Sequence, residues 1–343
     1  MEEARREPSA QKKRPLRALW LIAIHALVIA VGLNVFALFH HVLPTYRKST
    51  VSPVPVLAST PSPTPAPTAT QTPATEPPAV ESAAPVVGSG ERWSERFAEH
   101  FTDGEIVRTE DGYRSAHVSV ELQRVEEEGL VYQIAEIYVS DLRYLRAAFG
   151  ENGYGSRGMT AELAAANRAV VAISGDHCYA RAEGVVVRNG LLYRDTRFED
   201  VCVLLEDGRM LTMSNEDFDF DSLRELGVWQ IWSFGPMLLD EGRALESFTS
   251  TVTGANPRSA IGCVEPGHYF FVQVDGRGGN GSRGMSMREL ALLFESLGCE
   301  TAYNLDGGAT AGLAWEGTLT SYPYGRPVSD IIYVTDFPEG EED

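Results

Sequence analysis

The sequence predicts an α+β fold: a single mixed-sheet head domain with a few helices, behind one N-terminal transmembrane helix and a Pro-rich stalk. Three observations support this fold class. An uncharged apolar stretch lies near the N-terminus, a proline-rich segment follows it, and strand-like and helix-like patterns then mix without a strict βαβ order. The resulting division is 1–18, 19–43, 44–90, 91–337 and 338–343, the last being a short acidic tail.

Residues 19–43 contain the predicted membrane span. From Leu19 to Phe39 the chain carries no charge, and a helix of that length measures roughly 31 Å, the thickness of a bilayer's hydrocarbon core. Basic residues are concentrated on the N-terminal side, which predicts a cytoplasmic tail (1–18) and an extracellular head. A cleaved signal peptide is the alternative, but the stretch exceeds a usual h-region and no small-x-small site directly follows Phe39. We therefore expect a single-pass protein of the cell membrane.

The predicted stalk, residues 44–90, is dominated by proline. Eleven of the 19 prolines lie between residues 44 and 87. Because proline fixes φ and lacks an N–H donor, we expect a disordered segment that neither pairs as strands nor buries a core. Fully extended, it would reach on the order of 130 Å.

The charge and cysteine content of the head exclude several classes of partner and site. Residues 88–343 hold 43 of the 48 acidic side chains but only 21 of the 29 basic ones, so a polyanion is repelled and no nucleic-acid partner is expected. No obligate protein partner is inferred. Without a CxxC pair, a zinc ribbon or thioredoxin-like site is disfavoured. An extracellular head permits disulfides, and the sequence leaves both disulfides and buried free thiols open for Cys178, Cys202, Cys263 and Cys299.

The elements of the head are read from residue patterns along the chain. Runs rich in β-branched and aromatic residues predict strands, and Asn189-Gly190 predicts a hairpin turn. Ser286 and Glu289 form a capping box at the start of an amphipathic helix that Gly298 ends. The predicted strands are 115–124, 130–139, 169–174, 185–187, 191–193, 259–264, 269–274, 302–305 and 331–334; the predicted helices are 92–101, 160–168 and 287–297.

Three carboxylates stand beside glycine at predicted strand ends: Asp176, Asp275 and Asp306. A strand fixes the position of such a carboxylate, and glycine lets backbone N–H groups and ligand atoms come close. Two arginines, Arg258 and Arg277, occupy comparable positions and could clamp a phosphate or carboxylate. Taken singly, each Asp-Gly could be an ordinary turn and each arginine could neutralise nearby acids.

These motifs occur in an order that resembles the phosphodiester glycosidase family over residues 130–335. Bacterial members are often labelled exopolysaccharide-biosynthesis proteins. The motifs, in order, are Asn256-Pro257-Arg258-Ser259-Ala260-Ile261-Gly262, Val274-Asp275-Gly276-Arg277, Gly284-Met285-Ser286, Asn304-Leu305-Asp306-Gly307-Gly308 and Arg326-Pro327-Val328-Ser329-Asp330.

The resemblance implies hydrolysis of a sugar-1-phosphodiester at its anomeric carbon, here on cell-envelope or exopolysaccharide glycans. It implies Asp176 or Asp306 as nucleophile or general base, with Asp275 orienting sugar hydroxyls or an arginine. Which carboxylate attacks stays open, since their separation is a structural quantity. The residues implied in substrate and phosphate binding are Arg258, Arg277, Asn304, Gly307, Gly308 and Thr310.

Two departures from the family pattern bear on activity. Ser174 stands where relatives usually have Asn, and Ala311 stands where they have a second Ser after the glycines. A non-catalytic glycan- or phosphate-binding envelope protein on the same fold is therefore the alternative, and a structural envelope protein is a third. No cofactor is expected; a divalent metal on the Asp side chains is left open, because hard cations prefer oxygen ligands.

Overall fold

A computed structural model describes residues 53–56 and 90–337, together with positions 25 and 29. By its internal contacts the chain divides into two units, Met1–Arg47 and Lys48–Asp343. In the first unit, His25 and Ile29 are helical. No helix among the described residues is long and apolar enough to cross a bilayer. The predicted span at 19–43 lies outside the described residues, apart from those two positions.

The second unit contains twenty short or medium strands and four short α-helices in its described part. The helices are α1 (Gly90–Arg96), α2 (Thr160–Ala166), α3 (Phe220–Glu225) and α4 (Met287–Ser296). The strands are β1 (Val54–Pro55), β2 (Val107–Arg108), β3 (Gly112–Arg114), β4 (Val118–Glu127), β5 (Leu130–Val139), β6 (Leu145–Phe149), β7 (Ala169–Ser174), β8 (Val186–Arg188), β9 (Leu191–Arg194), β10 (Val201–Leu205), β11 (Met210–Met213), β12 (Val228–Trp232), β13 (Leu239–Asp240), β14 (Arg243–Ala244), β15 (Arg258–Glu265), β16 (His268–Val274), β17 (Thr301–Asn304), β18 (Leu313–Trp315), β19 (Thr318–Leu319) and β20 (Asp330–Thr335).

Three antiparallel sheets and one isolated hairpin, β13–β14, organise these strands. The seven-stranded sheet has the order β17-β15-β16-β5-β4-β3-β2, the six-stranded sheet β1-β9-β8-β12-β10-β11, and the five-stranded sheet β19-β18-β7-β20-β6. The paired strands in each sheet run antiparallel. The domain is thus mostly β with a few short helices. The few helices agree with the prediction, whereas the strand content is higher than the α+β class implies.

The prediction that the head contains a mixed sheet is wrong, because every strand pair of the described residues is antiparallel. A parallel pair needs a crossover of a dozen or more residues, usually a helix, whereas here antiparallel neighbours such as β4 and β5 follow one another through tight turns. Several predicted elements are confirmed, among them the strand Leu130–Val139 and the capping box of Ser286 and Glu289.

The main hydrophobic core lies where the three sheets meet. It combines Phe271 of the seven-stranded sheet, Ile173 of the five-stranded sheet and Trp232 of the six-stranded sheet. A second core packs Leu290 and Phe294 of α4 against the seven-stranded sheet. Because burying such side chains contributes about 1.5–3 kcal/mol each, these cores fix the strand ends from which the polar residues described below project.

Part of the predicted stalk pairs with the head, contrary to the sequence expectation for those residues. Val54 and Pro55 lie opposite Leu192 and Leu191 of β9. The prediction failed there because the prolines at 53 and 55 alternate with valines. The valines keep their N–H groups, and that of Val56 donates to the Gly190 carbonyl. The remainder of residues 44–89 lies outside the described residues.

Candidate active site

The ends of β7, β15 and β17 come together and carry the polar residues of one cavity. Ser174 at the end of β7 places its hydroxyl 2.6 Å from that of Ser259, and it donates to the Asp306 carbonyl. The Asp306 N–H donates to the Gly175 carbonyl, and the Leu305 N–H to that of Ser259. Backbone from the five-stranded sheet therefore holds a loop of the seven-stranded sheet.

A cavity of about 690 Å³ opens at this junction. Of the three predicted carboxylates, only Asp306 lines it. The lining residues fall into an acidic and imidazole side, an arginine side and aromatic walls. They are His177, Arg181, Phe198, Glu199, Phe234, Gly235, Thr249, Ser250, Thr251, Val252, Asn256, Pro257, Arg258, Arg277, Met287, Asn304, Leu305, Asp306, Gly307 and Gly308.

Asp306 forms a pair with His177. Asp306 is 6 % exposed, and its Oδ2 lies 2.9 Å from His177 Nδ1. An ionised carboxylate oxygen can only accept, so in this hydrogen bond His177 Nδ1 is the donor. The His177 ring also meets Phe234 edge-on, with centroids 6.2 Å apart. The sequence singled out neither contact, because a histidine between Asp176 and Cys178 carries no pattern of its own.

Arg258 and Arg277 also line the cavity, without a carboxylate partner among the described residues. Arg258 is buried and donates to the carbonyls of Met285, Val252 and Gly254. Arg277 donates to Asn256 Oδ1 from Nε and Nη2. Burial, and then the neighbouring Arg277 charge, lowers the pKa of Arg258 to about 10. Two adjacent guanidinium groups without a counter-charge are suited to an anion.

The two glycines after Asp306 are not equivalent. The Gly308 N–H donates to the Pro257 carbonyl at 2.9 Å, so it is not available to a ligand. Gly308 has φ +63°, and a Cβ there would stand 3.0 Å from Arg277 Nη2. Gly307 lies partly exposed in the cavity wall. Of the predicted backbone donors, Gly307 is therefore the one that fits a ligand.

Asp176 is placed in a buried ionic network, which the sequence prediction of a nucleophile did not foresee. Its carboxylate receives hydrogen bonds from Arg181 Nη2 at 2.5 Å and from the Ser233 N–H at 2.9 Å. Arg188 Nη2 lies 3.6 Å away and its Nε contacts Asp330 at 2.6 Å. Although burial alone would raise it, the pKa of Asp176 is lowered by Arg181 and Arg188. Burial raises the pKa of Asp330 to about 6 against the opposing pull of Arg188.

Asp275 also lies away from the cavity lining. Its Oδ1 accepts from Gln273 Nε2 and the Tyr322 N–H, and its Oδ2 accepts from Asn280 Nδ2. Buried between β16, the loop that follows it and the segment of Tyr322, Asp275 ties together the region from which Arg277 projects. The strand-then-glycine pattern thus located all three carboxylates at strand ends, but it could not tell which faced the cavity.

Of the two polar residues Asn304 and Thr310, only Asn304 lines the cavity. Asn304 lines the cavity and donates from Nδ2 to the Gly235 carbonyl at 2.8 Å. Thr310 lies outside the lining, and its hydroxyl donates to the Gly307 carbonyl at 2.6 Å. Ser174 and Ala311, the two departures from the family pattern, are buried and do not line the cavity either.

The sequence reasoning missed the aromatic walls and one arginine. The Arg181 guanidinium stacks 4.7 Å from the Phe198 ring centre and 5.8 Å from that of Phe234. A Phe-Gly-Pro segment at 234–236 was a recognisable signal, whereas Phe198 and Arg181 lie in irregular loops without one. No three His, Cys, Asp or Glu side chains among the described residues cluster in a way that could hold a metal ion.

Comparison with known proteins identifies the family. The family described as phosphodiester glycosidase matches residues 162–335, half of the chain. The chain belongs to the phosphodiester glycosidase family. The resemblance that the ordered motifs indicated is confirmed.

Curated relatives match different parts of this chain. It is 31% identical over 204 residues, 56% of this chain and 31% of the relative, to the SPbeta prophage-derived uncharacterized protein YomE of Bacillus subtilis (strain 168). It is 32% identical over 104 residues, 28% of this chain and 20% of the relative, to the Mus musculus N-acetylglucosamine-1-phosphodiester alpha-N-acetylglucosaminidase. The chain thus spans less than a third of the length of either relative.

A solved structure shares the fold of this chain. It is the catalytic domain of the zebrafish N-acetylglucosamine-1-phosphodiester alpha-N-acetylglucosaminidase, auto-inhibited by its pro-peptide. The match has a TM-score of 0.52 and 20% identity, and it covers 64% of this chain and 83% of the zebrafish one. At that identity the likeness establishes the architecture alone.

Proposed function

We propose that this member of the phosphodiester glycosidase family hydrolyses a sugar-1-phosphodiester at the anomeric carbon, releasing a free sugar and a phosphomonoester. The observation that carries the proposal is the composition of one cavity. A carboxylate–imidazole pair, Asp306 with His177, shares it with two guanidinium groups, Arg258 and Arg277, that have no protein counter-charge among the described residues. This combination suits a neutral sugar joined to an anionic phosphate.

The phosphate binds on the arginine side. Arg277 is exposed, and Gly307 lines the same cavity. Arg258 is fixed by three carbonyls, so its charge is held in place before the ligand arrives. As the bond to the anomeric carbon breaks, negative charge grows on the departing phosphate oxygen, and fixed cations stabilise it most at that moment.

The sugar binds on the Asp306 side, against the rings of Phe198 and Phe234. A water oxygen forms a bond to the anomeric carbon and gives its proton to Asp306. The bond from that carbon to the phosphate oxygen breaks, and its electron pair leaves with the phosphomonoester. The His177 Nδ1–H donates to Asp306 and so orients the carboxylate, which accepts the water proton as the general base. A phosphate leaves readily, so the step needs little proton donation to the leaving group.

Its setting follows from the N-terminal part of the sequence. We infer that residues 19–43 anchor the protein in the cell membrane with the head outside, where cell-envelope or exopolysaccharide glycans are the substrates. The acidic head disfavours nucleic acid, and the proposed chemistry uses side chains and water without a cofactor. Fractionation checks the anchor: the full chain should pellet with membranes and lose its head to protease added outside intact cells.

The decisive experiment is turnover by the full chain. A panel of sugar-1-phosphodiesters should include an N-acetylglucosamine-1-phosphodiester, the substrate named for the murine relative. Free sugar and phosphomonoester should appear in equal amounts, and Asp306→Asn should lower kcat by about 10²–10⁴-fold, the usual contribution of a general base. Asp240→Asn, on the exposed hairpin strand β13, is the matched control. Calorimetric binding without product, or full activity in Asp306→Asn, would refute the proposal.

A further inference from the structure

The cavity is lined by two carboxylates, and the hydrolytic step proposed above uses only one of them. Asp306 is paired with His177, whereas the carboxylate of Glu199 has no hydrogen bond or ion pair within the part of the chain that the structure describes. Glu199 is partly buried. A carboxylate accepts up to about four hydrogen bonds, and shielding it from water without a donor is costly. The oxygens of Glu199 are therefore left for donors that a ligand supplies.

The backbone beside Glu199 is fixed by two distant segments. The Asp200 carbonyl accepts from the Tyr303 hydroxyl at 2.6 Å, and Asp200 Oδ2 accepts from the Met237 N–H at 3.2 Å. Tyr303 belongs to β17 and is fully buried in the main core. Although Glu199 lies outside the strands, the residue that follows it is thus held by the core.

Glu199 lies on the same wall of the cavity as the pair of Asp306 and His177. A Cβ at Gly235 would stand 3.5 Å from the Cβ of Glu199, so Gly235 lies directly against this residue. The preceding Phe234 meets the His177 ring edge-on, with centroids 6.2 Å apart. The segment 234–235 therefore contacts both residues, and Glu199 falls on the side where the mechanism above places the sugar.

The two basic side chains on this wall already have carboxylate partners. Arg181 donates to Asp176 at 2.5 Å, and His177 donates to Asp306 at 2.9 Å. Neither is left to neutralise a sugar that is itself an anion, and such a sugar would meet the charge of Glu199. A sugar hydroxyl, by contrast, donates a hydrogen bond to a carboxylate. Repulsion of this kind contributes to specificity as much as attraction does.

We propose that Glu199 determines the sugar specificity of the site: it accepts hydrogen bonds from the hydroxyl groups of an uncharged glycosyl group and disfavours one that carries a carboxylate. This inference rests on the hydrolysis proposed above. Arg258 and Arg277 attract the phosphate that every such ester shares, so they give no preference among sugars. The choice between a neutral and an acidic sugar therefore depends on Glu199.

Two esters that differ at one carbon test this role. One is the methyl phosphodiester of N-acetylglucosamine 1-phosphate, and the other carries a carboxylate in place of the C6 hydroxymethyl group. With the full chain, kcat/KM for the neutral ester should exceed that for the acidic ester by at least about 100-fold, because like charges would meet in the latter. Glu199→Gln keeps the size of the side chain and removes its charge. It should lower kcat/KM for the neutral ester about tenfold, the value of a hydrogen bond to a charged group, and raise that for the acidic ester about tenfold.

Two variants serve as controls. Glu216→Gln makes the same change of net charge at an exposed position outside the cavity lining, and it should leave both values as they were. Glu199→Asp keeps the charge on a shorter side chain, so it should keep the discrimination against the acidic ester while weakening turnover of the neutral one. An unchanged ratio of the two kcat/KM values in Glu199→Gln would overturn the proposal, as would an equal change in Glu216→Gln.

Calorimetry with the two sugar 1-phosphates as ligands separates this role from turnover. The full chain should bind N-acetylglucosamine 1-phosphate at least about tenfold more tightly than its C6-carboxylate analogue, and Glu199→Gln should remove the difference. That selectivity without turnover of either ester would refute the hydrolysis and support the role of Glu199. Turnover with equal preference for the two sugars would support the hydrolysis and overturn the role of Glu199. A chain that binds neither sugar phosphate would overturn both.

Discussion

The buried ionic network beside the active site offers a stability test whose size and pH dependence follow from the structure. Arg188 is 1 % exposed and contacts both Asp330, at 2.6 Å, and Asp176, at 3.6 Å. Replacing it in Arg188→Met leaves two buried carboxylates with Arg181 as their nearest cation. Removing one partner of a buried ion pair costs about 3–5 kcal/mol. For a domain of this size, that lowers Tm by roughly 10 °C.

The loss should depend on pH in a defined direction. The pKa of Asp330 in the folded protein, about 6, exceeds the value of 3.8 expected for a free side chain. Its contribution to stability is therefore complete below about pH 4 and is lost as the pH rises through about 6. Without Arg188 the carboxyl holds its proton still more tightly. The destabilisation by Arg188→Met should thus be greatest at pH 7.5 and smaller by about 1–3 kcal/mol at pH 5, where Asp330 can stay neutral.

Urea and thermal unfolding of the purified protein at both pH values provide the measurement. Arg209→Met is the control, because Arg209 pairs with Asp207 at 2.7 Å on the surface, and an exposed pair contributes about 0–1 kcal/mol. A loss below about 1 kcal/mol for Arg188→Met at pH 7.5, or the same loss at pH 5, would show that the network does not depend on Arg188 as argued.

Three shorter predictions concern the cavity and the thiols. Arg277→Met should raise KM for a sugar phosphodiester by roughly 10–100-fold, the value of a charged hydrogen bond; an unchanged KM in steady-state kinetics would remove Arg277 from phosphate binding. Gly308→Ala should lower stability by about 1 kcal/mol because of its positive φ and raise KM by displacing Arg277, while Gly254→Ala, where a Cβ meets open space, should do neither. A thiol reagent should modify no cysteine in the native protein and four in denaturant, because all four thiols are buried and free. Burial also raises their pKa, that of Cys263 to about 12. Labelling without denaturant would contradict this prediction.

Local patterns predicted the individual elements well. Alternating and β-branched residues located the strand Leu130–Val139, and Asn189-Gly190 marked a true hairpin turn, because both signals act over a few neighbouring residues. The arrangement of strands into three antiparallel sheets was beyond such signals. Pairings such as Ile331 with Ser174 join residues more than 150 positions apart, and packing of side chains, not local preference, decides them.

The site residues show the same limit. Asp176, Asp275 and Asp306 follow strands in similar sequence contexts, yet only Asp306 lines the cavity. What separates them is the set of partners that distant parts of the chain supply: Arg181 and Ser233 surround Asp176, and the 280 and 322 regions surround Asp275. His177 went unrecognised for the converse reason, since its importance comes from Asp306, 129 positions further along.

The attachment of the Asp306 loop to Gly175 and Ser174 makes the proposed catalysis sensitive to the alignment of the two sheets. His177 follows a strand of the five-stranded sheet, and Asp306 follows a strand of the seven-stranded sheet. A small shift between the two sheets would therefore misalign His177 and Asp306, even if the hydrogen bonds between the strands of each sheet were kept. Mild denaturant should consequently silence the enzyme before circular dichroism or tryptophan fluorescence registers any melting.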